Sequence, residues 1–338
     1  MEVFVRLILW KFSLIYRLGI FIWDQYWRKG RKVKLACKVI SIGNITVGGT
    51  GKTPIASLLA NLSAENGHNT AIVARGYKRQ AKGLTEVSNN SSWLEVGDEP
   101  LEVYQNTRGV RVYVDESKTR SAIKAAENGA RVVFVDDGFQ HRKLHRDIDI
   151  VCLDWSKPFG PGGMLPLGHL REPLKSLNRA DILVWTSYDE NSFPNRDSLI
   201  FRPELDQYYS SFSITGFIDI KSNEHKTIEE FNGRSVIAFC GLGNPDRFQR
   251  ALARIDLIPE EIVTFADHYR YNQNDIDKLI GQAGTLDADC LVCTNKDAVK
   301  IRGFDFGDYD VYSAELEISI TDEEGNDRLE DLRRQLGI

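Results

Sequence analysis

The chain opens on a segment whose apolar and aromatic residues are interrupted by polar ones at near-regular intervals. Advanced at about 100° per residue, Arg6, Ser13, Arg17, Asp24 and Arg28 fall on one narrow stripe, with Lys11 the exception. Nearly everything else between Leu7 and Trp27 is apolar or aromatic, so the spacing predicts an amphipathic helix within residues 1–34. The rhythm then changes. A strand-like run at 39–42 leads through a glycine-rich loop into a helical pattern over 52–65, which ends near Gly67. A strand at 70–75 follows, and 78–96 is polar and reads as a mobile excursion. A helix starts at Asp98, with Asp98, Glu99 and Pro100 in its first turn. Strand 110–114, helix 117–127 and strand 131–136 come next, then strands at 148–153 and 181–185. Strands alternating with helices predict a mostly parallel sheet with helices on both faces, and such sheets bind ligands at the carboxyl ends of their strands.

The second half repeats the rhythm between two special segments. Residues 211–220 and 312–320 show the partial alternation of half-buried strands. They bracket strand and helix patterns at 235–240, 245–254, 261–265, 272–282 and 289–293. This predicts a smaller α/β domain on a two-stranded connector, followed by a charged helix at 323–336. The expected division is 1–34 for the first helix, 35–208 for the main domain, 209–322 for the connector and smaller domain, and 323–338 for the last helix.

Charge changes the picture at the N-terminus. The 338-residue chain has a net charge of -5, which argues against general nucleic-acid binding. Residues 1–34 nevertheless hold eight Lys/Arg against Glu2 and Asp24. Charges break each apolar run well short of the ~20 residues that cross a bilayer. No small-residue cleavage site follows, so a removed signal peptide is not expected. The pattern suits a helix lying in a membrane surface with basic residues on lipid head groups; the other reading is a helix packed on the protein's own core. Five scattered cysteines imply no disulfide framework and fit a reducing compartment. Cys290 and Cys293 sit in an apolar run and point to opposite faces of a strand, which reads as core packing. His141 and His145 are spaced i, i+4, but Arg142 stands where a zinc protease has glutamate, so no metal site is read there.

The chemistry begins at Gly48-Gly49-Thr50-Gly51-Lys52-Thr53, between the strand at 39–42 and the helix from 52. Glycines let the backbone wrap an anion, and the helix points its positive end at the same spot. Lys52 can reach the outer phosphates and the Thr53 hydroxyl can hold Mg²⁺. Thr46 replaces the first glycine of the full phosphate-loop pattern, so the strand-loop-helix context is what supports it. Val132-Val133-Phe134-Val135 ends in Asp136 and Asp137, the arrangement of a buried strand delivering a Mg²⁺ carboxylate to that edge. Transfer to an alcohol also needs a base and cations. Asp98 and His268 (in Asp267-His268-Tyr269) are the base candidates, although a helix-start Asp is commonly a cap and a lone loop His commonly a surface residue. Arg75, Arg120 and Arg171 are the cation candidates.

In order along nearly the whole chain, these residues resemble the tetraacyldisaccharide 4'-kinase (lipid A 4'-kinase) family. The resemblance lies in S-I-G-N-I-T-V-G-G-T-G-K-T-P, R-G-Y at 75–77, G-D-E-P at 97–100, D-D-G-F-Q-H at 136–141, L-R-E-P at 170–173, D-H-Y at 267–269 and T-N-K-D-A-V-K at 294–300. Asn295 departs from the glutamate expected of the family. The resemblance implies a two-domain kinase that moves the ATP γ-phosphate, with Mg²⁺, to the 4'-hydroxyl of a tetraacylated glucosamine disaccharide 1-phosphate. It implies a lipid bound between the domains, a peripheral enzyme on the cytoplasmic face of the inner membrane, and no protein partner. By the same resemblance Asp98 is the base and His268 its partner. Lys52 and Thr53 bind phosphate and metal, and Asp136 or Asp137 completes the metal site. Glu99, Arg75, Tyr77, Arg120, Gln140, His141, Arg171 and Glu172 stand around the active site or substrate. Two other readings stay open: a membrane-associated ATPase switch, in which Val47 takes the place of the usual early lysine, and a soluble small-molecule kinase whose first helix packs internally.

Overall fold

The computed structural model describes residues 2–188 and 205–338; residues 189–204 of the expected main domain lie outside the described residues. Helix α1 (Glu2–Lys29) leads into β1 (Lys38–Gly43), α2 (Lys52–Glu65), β2 (Thr70–Ala74), β3 (Thr85–Glu86), α3 (Trp93–Val96), α4 (Asp98–Gln105) and β4 (Val110–Val114). Then come α5 (Lys118–Glu127), β5 (Val132–Asp136), β6 (Ile148–Asp154), β7 (Ile182–Thr186), β8 (Asp206–Asp219) and β9 (His225–Lys226). The rest comprises β10 (Val236–Cys240), α6 (Pro245–Ala253), β11 (Glu261–Thr264), α7 (Gln273–Thr285), β12 (Cys290–Thr294), α8 (Asn295–Ile301), β13 (Asp310–Thr321) and α9 (Leu329–Leu336).

Among the described residues, thirteen strands join in one sheet, ordered β11-β10-β12-β13-β8-β7-β6-β1-β5-β2-β4-β3, with β9 on β8. Most neighbours are parallel, as the alternation predicted. The central strands are buried along their length because both faces are covered, which explains their continuous apolar runs. Ile40, Ile72 and Phe134 pack under α2 and α4 on one face, and Val39, Val73 and Val133 pack under α5 on the other. In the second half, Phe239, Leu291 and Cys293 meet α7 and α8, while Ala238, Cys290 and Val292 meet α6. Cys290 and Cys293 thus serve opposite cores.

The long strands β8 and β13 pair antiparallel from Tyr312–Asp219 to Thr321–Tyr209, and β8 also pairs with β7, so the sheet passes without a break from one half to the other. Two expectations need correction. The polar stretch 78–96 is not featureless: β3 pairs with β4, Ser92 caps α3, and Arg79 is fixed by Glu116 at 3.2 Å. The last helix starts later than 323, because Asp322 accepts N–H groups from Glu324 and Asn326 and closes a turn there. α9 buries Leu332 and Leu336 beside α2, so the chain ends on the first half.

Candidate active site

β1 carries the chain to the carboxyl edge of the sheet, and residues 44–51 turn it into α2. Gly48 (φ +108°) and Gly51 (φ +73°) hold left-handed dihedrals that side-chain-bearing residues rarely adopt. α2 has no acid in its first turn, so its positive end faces the loop uncompensated. Thr186 Oγ1 of β7 donates to the Thr50 carbonyl at 2.7 Å and pins the loop from behind. Thr50 Oγ1 is buried without a partner of its own.

Register brings the acidic strand alongside. β5 pairs with β1 so that Asp136 lies opposite Ile42. Thr53 Oγ1 donates to Asp136 Oδ2 at 3.3 Å, while Asp136 Oδ1 is buried and unpartnered. Burial pushes the Asp136 carboxyl up to about 6, with the Glu99 charge adding, against Lys52 and Lys118. A hydroxyl beside a carboxylate with one unclaimed buried oxygen suits Mg²⁺, which takes few protein ligands and shares the phosphates. The residues present therefore fit that ion.

Asp137 faces different partners. It sits at φ +49°, a conformation of order 1 kcal/mol above the usual wells for a residue with a side chain. Arg171 Nη1 donates to both its carboxylate oxygens at 2.9 and 3.0 Å, and Lys52 Nζ lies 3.7 Å away. Lys118 Nζ donates to its carbonyl at 2.5 Å. Burial raises the Asp137 carboxyl, but Lys118, Lys52 and Arg171 together hold it well below the usual carboxylate range.

Lys118 is the residue that sequence reasoning missed. The expected cation of that segment, Arg120, is instead exposed on α5 and pairs with Asp115 and Glu116. α5 buries positions 118, 119, 121, 122 and 125, so its period puts Lys118 on the inner face and Arg120 off it. Burial lowers the Lys118 ammonium against the pull of Asp137 and Asp136. Beside it, Thr119 Oγ1 is 2.7 Å from His141 Nε2, and burial with Lys118 pushes His141 down to about 4. Gln140 Nε2 donates to the Asn44 carbonyl at 2.8 Å, under the loop. Glu172 is buried on Arg142 and Arg179 rather than turned to the phosphate loop.

A second constellation faces the first. Gly97 (φ +99°) caps α4, which leaves Asp98 as the first helical residue with its carboxylate available. One oxygen accepts the Glu99 N–H at 3.0 Å, and His268 Nδ1 stands 3.0 and 2.8 Å from the two oxygens. With Asp98 ionised, Nδ1–H is the donor. His268, like Asp137, is left-handed (φ +57°), and Tyr77 packs edge-on to its ring at 5.0 Å between centroids. Arg75 is exposed at the end of β2.

α8 supplies the cations. Lys296 Nζ lies 3.4 Å from Glu99, 3.0 Å from Asp267 and 3.4 Å from His268 Nε2. Lys300 Nζ is 2.7 Å from Asp297 and 4.0 Å from Asp98. Asn295 Oδ1 accepts from Ser313 Oγ at 2.6 Å, a bond within the second half. Burial pushes the Asp98 carboxyl up, but the His268 bond and charge, with Lys296 and Lys300, leave it below its ordinary value. One turn along α4, burial pushes Glu102 up to about 8 against Lys296, with Glu99 and Asp98 adding.

The arrangement joins an anion cradle and a metal-suited pair to an ionised, oriented carboxylate. A family model described as Tetraacyldisaccharide-1-P 4'-kinase matches residues 5–334. A tetraacyldisaccharide 4'-kinase of Syntrophus aciditrophicus is 34% identical over 321 residues, covering 87% of this chain and 84% of that protein. The one of Geobacter metallireducens is 34% identical over 316 residues, covering 92% and 89%. A crystal structure of the "apo" form of LpxK from Aquifex aeolicus in complex with ATP superposes with a TM-score of 0.76 at 29% identity, covering 98% of this chain and 99% of that one.

Proposed function

This chain belongs to the tetraacyldisaccharide-1-P 4'-kinase family, and on that footing we propose that it transfers the ATP γ-phosphate to the 4'-hydroxyl of a tetraacylated glucosamine disaccharide 1-phosphate, a step of lipid A synthesis. The observation that bears most on this reading is the pairing of a phosphate loop with an ionised Asp98 that His268 orients at the start of α4. Asp98 accepts the proton of the attacking hydroxyl, the oxygen bonds to the γ-phosphorus, and the bond to the β-phosphate oxygen breaks as ADP leaves. His268 holds the carboxylate in place and shares the proton. Lys52, Lys118 and Arg171 stand where negative charge is carried on the phosphates, and Asp137 keeps the three gathered. Thr53 and Asp136 would hold Mg²⁺, which supplies charge neutralisation to the phosphates when bound. Glu99, Tyr77, Gln140, His141 and Glu172 support these groups, and Arg75 is open to the acceptor.

Membrane attachment forms part of the same proposal. No helix among the described residues is long and apolar enough to cross a bilayer. α1 is nonetheless turned inside out for a water-soluble helix. Leu14, Ile15, Leu18, Phe21, Ile22 and Trp23 are all exposed, between 45% and 65%. Such an apolar surface marks a membrane or partner contact. Arg28, Lys29, Arg31, Lys32 and Lys34 follow directly, and each basic residue near an anionic leaflet adds about 1 kcal/mol. A 28-residue helix is about 42 Å long, ample to lie in the head-group plane on the cytoplasmic side. The soluble-kinase reading leaves this surface unexplained. The two-domain division of the chain, with the lipid between, stays part of this proposal.

Labelled γ-phosphate from ATP, offered with a tetraacyl disaccharide 1-phosphate in mixed micelles, tests the reading. Label is expected in the lipid and absent with Lys52→Ala. ATP hydrolysis without lipid labelling would instead favour the ATPase switch. Sedimentation with anionic vesicles tests attachment: the chain is expected in the pellet, and Leu18→Ser/Phe21→Ser/Ile22→Ser in the supernatant.

A further inference from the structure

We propose that α1 is part of the nucleotide site's scaffold, with Tyr16 and Asp24 as positioning residues that hold segment 164–172 against the phosphate loop. α1 turns Ser13, Tyr16 and Asp24 toward the protein, while Arg6, Lys11, Arg17 and Arg28 stay exposed. Ser13 is buried and donates to the Met164 carbonyl at 2.9 Å, and the Tyr16 hydroxyl donates to the Arg171 carbonyl at 3.0 Å. Only a few apolar side chains of α1, Tyr16 and Ile20 among them, pack on the core beneath. Directional bonds therefore fix where this helix sits, more than apolar burial does.

The gripped segment is paired with the loop. Arg171 N–H donates to the Ile45 carbonyl at 2.7 Å, Val47 N–H donates to the His169 carbonyl at 2.8 Å, and Thr46 bridges Leu170. Residues 45–47 immediately precede Gly48. The same Arg171 places its guanidinium on Asp137. A second arm runs in parallel: Asp24 pairs with Arg142, and Arg142 Nη2 pairs with Glu172 at 2.8 Å, next in sequence to Arg171. The Arg142 and Glu172 side chains are 6% and 2% exposed, so removing a partner leaves buried charge uncompensated. Burial raises the Asp24 carboxyl, but Arg142 and Arg28 hold it below its ordinary value, so it stays ionised in the pair. Two arms from one helix thus end on adjacent residues, the Arg171 carbonyl and the Glu172 carboxylate, of the segment paired with the phosphate loop. A helix that serves only as an anchor needs neither.

The inference rests on the kinase reading above, and its test separates the two. Tyr16→Phe and Asp24→Asn are made in the full chain. Turnover is measured at saturating acceptor lipid in mixed micelles, and a fluorescent ATP analogue is titrated without lipid. Thermal midpoint and vesicle sedimentation are read alongside. Both variants are expected to sediment like the parent, with kcat about 10- to 100-fold lower at saturating lipid, the loss typical of a misplaced group. Analogue affinity is expected to fall about fivefold, on the scale of one lost hydrogen bond. Parental kcat at saturating lipid with only the lipid KM raised would overturn the proposal, as would parental analogue affinity in both variants. Should Asp24→Asn not fold, Tyr16→Phe decides alone, since it removes one oxygen and keeps the ring. Absence of lipid labelling by the parent would sink the kinase reading, while the analogue titration still decides the coupling.

Discussion

Replacing His268 with alanine isolates the contribution of the pair at the mouth of α4. The variant removes a donor 2.8 Å from Asp98 Oδ2 and 3.0 Å from Oδ1. Asp98 is then left with the Glu99 N–H at 3.0 Å and a lysine 4.0 Å away. A hydrogen bond to a charged group contributes about 1.5–3 kcal/mol, which corresponds to about a 10- to 150-fold change in kcat if it is made fully in the transition state. The groups proposed to bind ATP lie on other elements, so the KM for ATP is expected within about twofold of the parent. The pH dependence follows from the sign of the shift. In the parent, burial raises the Asp98 carboxyl but His268, Lys296 and Lys300 bring it below its ordinary value. The stability this contributes is present above the unfolded carboxylate pKa and is lost as pH falls through the lower folded value. Without His268 the burial effect gains, so the acid limb of the kcat profile moves to higher pH. Labelled γ-phosphate transfer to lipid, run across pH 4 to 8, reads both effects. A folded His268→Ala protein with parental kcat, or one whose whole loss lies in the KM for ATP, would refute the reasoning.

Two further predictions follow from groups outside that pair. Lys118→Ala is expected to lower kcat/KM for ATP by at least about tenfold, since it removes a buried cation from the Asp137 carbonyl, whereas Arg120→Ala changes it by less than about twofold; steady-state kinetics on the two variants checks the contrast. Glu102 has a folded pKa of about 8, above its unfolded value, so its contribution to stability is full below about pH 4.5 and is lost as pH rises toward 8; Glu102→Gln is expected to raise the thermal midpoint at pH 8 and leave it nearly unchanged at pH 5.

What the sequence made legible was whatever depended on neighbours along the chain. The phosphate loop, the strand ending in Asp136 and Asp137, and the alternation behind the parallel sheet are all local patterns. The connector strands could be read because residues 211–220 and 312–320 alternate in part, although the pairing shifts register at Glu315/Leu316. Choices between neighbours were less accessible. Lys118 and Arg120 are both basic and two residues apart, and only the buried period of α5 separates them. Asp136 and Asp137 are adjacent carboxylates, and the left-handed backbone at Asp137 is what turns them toward different partners. The polar stripe of α1 could be seen, yet Ser13 and Asp24 face the protein because their partners, the Met164 carbonyl and Arg142, lie more than a hundred residues away. Long-range pairing of that kind leaves no mark on spacing. The same holds for α8, whose Lys296 and Lys300 reach the site only because α8 packs against α4.

The account turns on the phosphate cradle and the proton acceptor being separate groups that act on one transfer. Asp98→Ala tests this most directly, with ATP affinity from equilibrium binding and lipid phosphorylation measured on the same preparation. The account predicts ATP affinity within about twofold of the parent and kcat lower by at least the 10²–10⁴ of a lost general base. Parental turnover in that variant would contradict it.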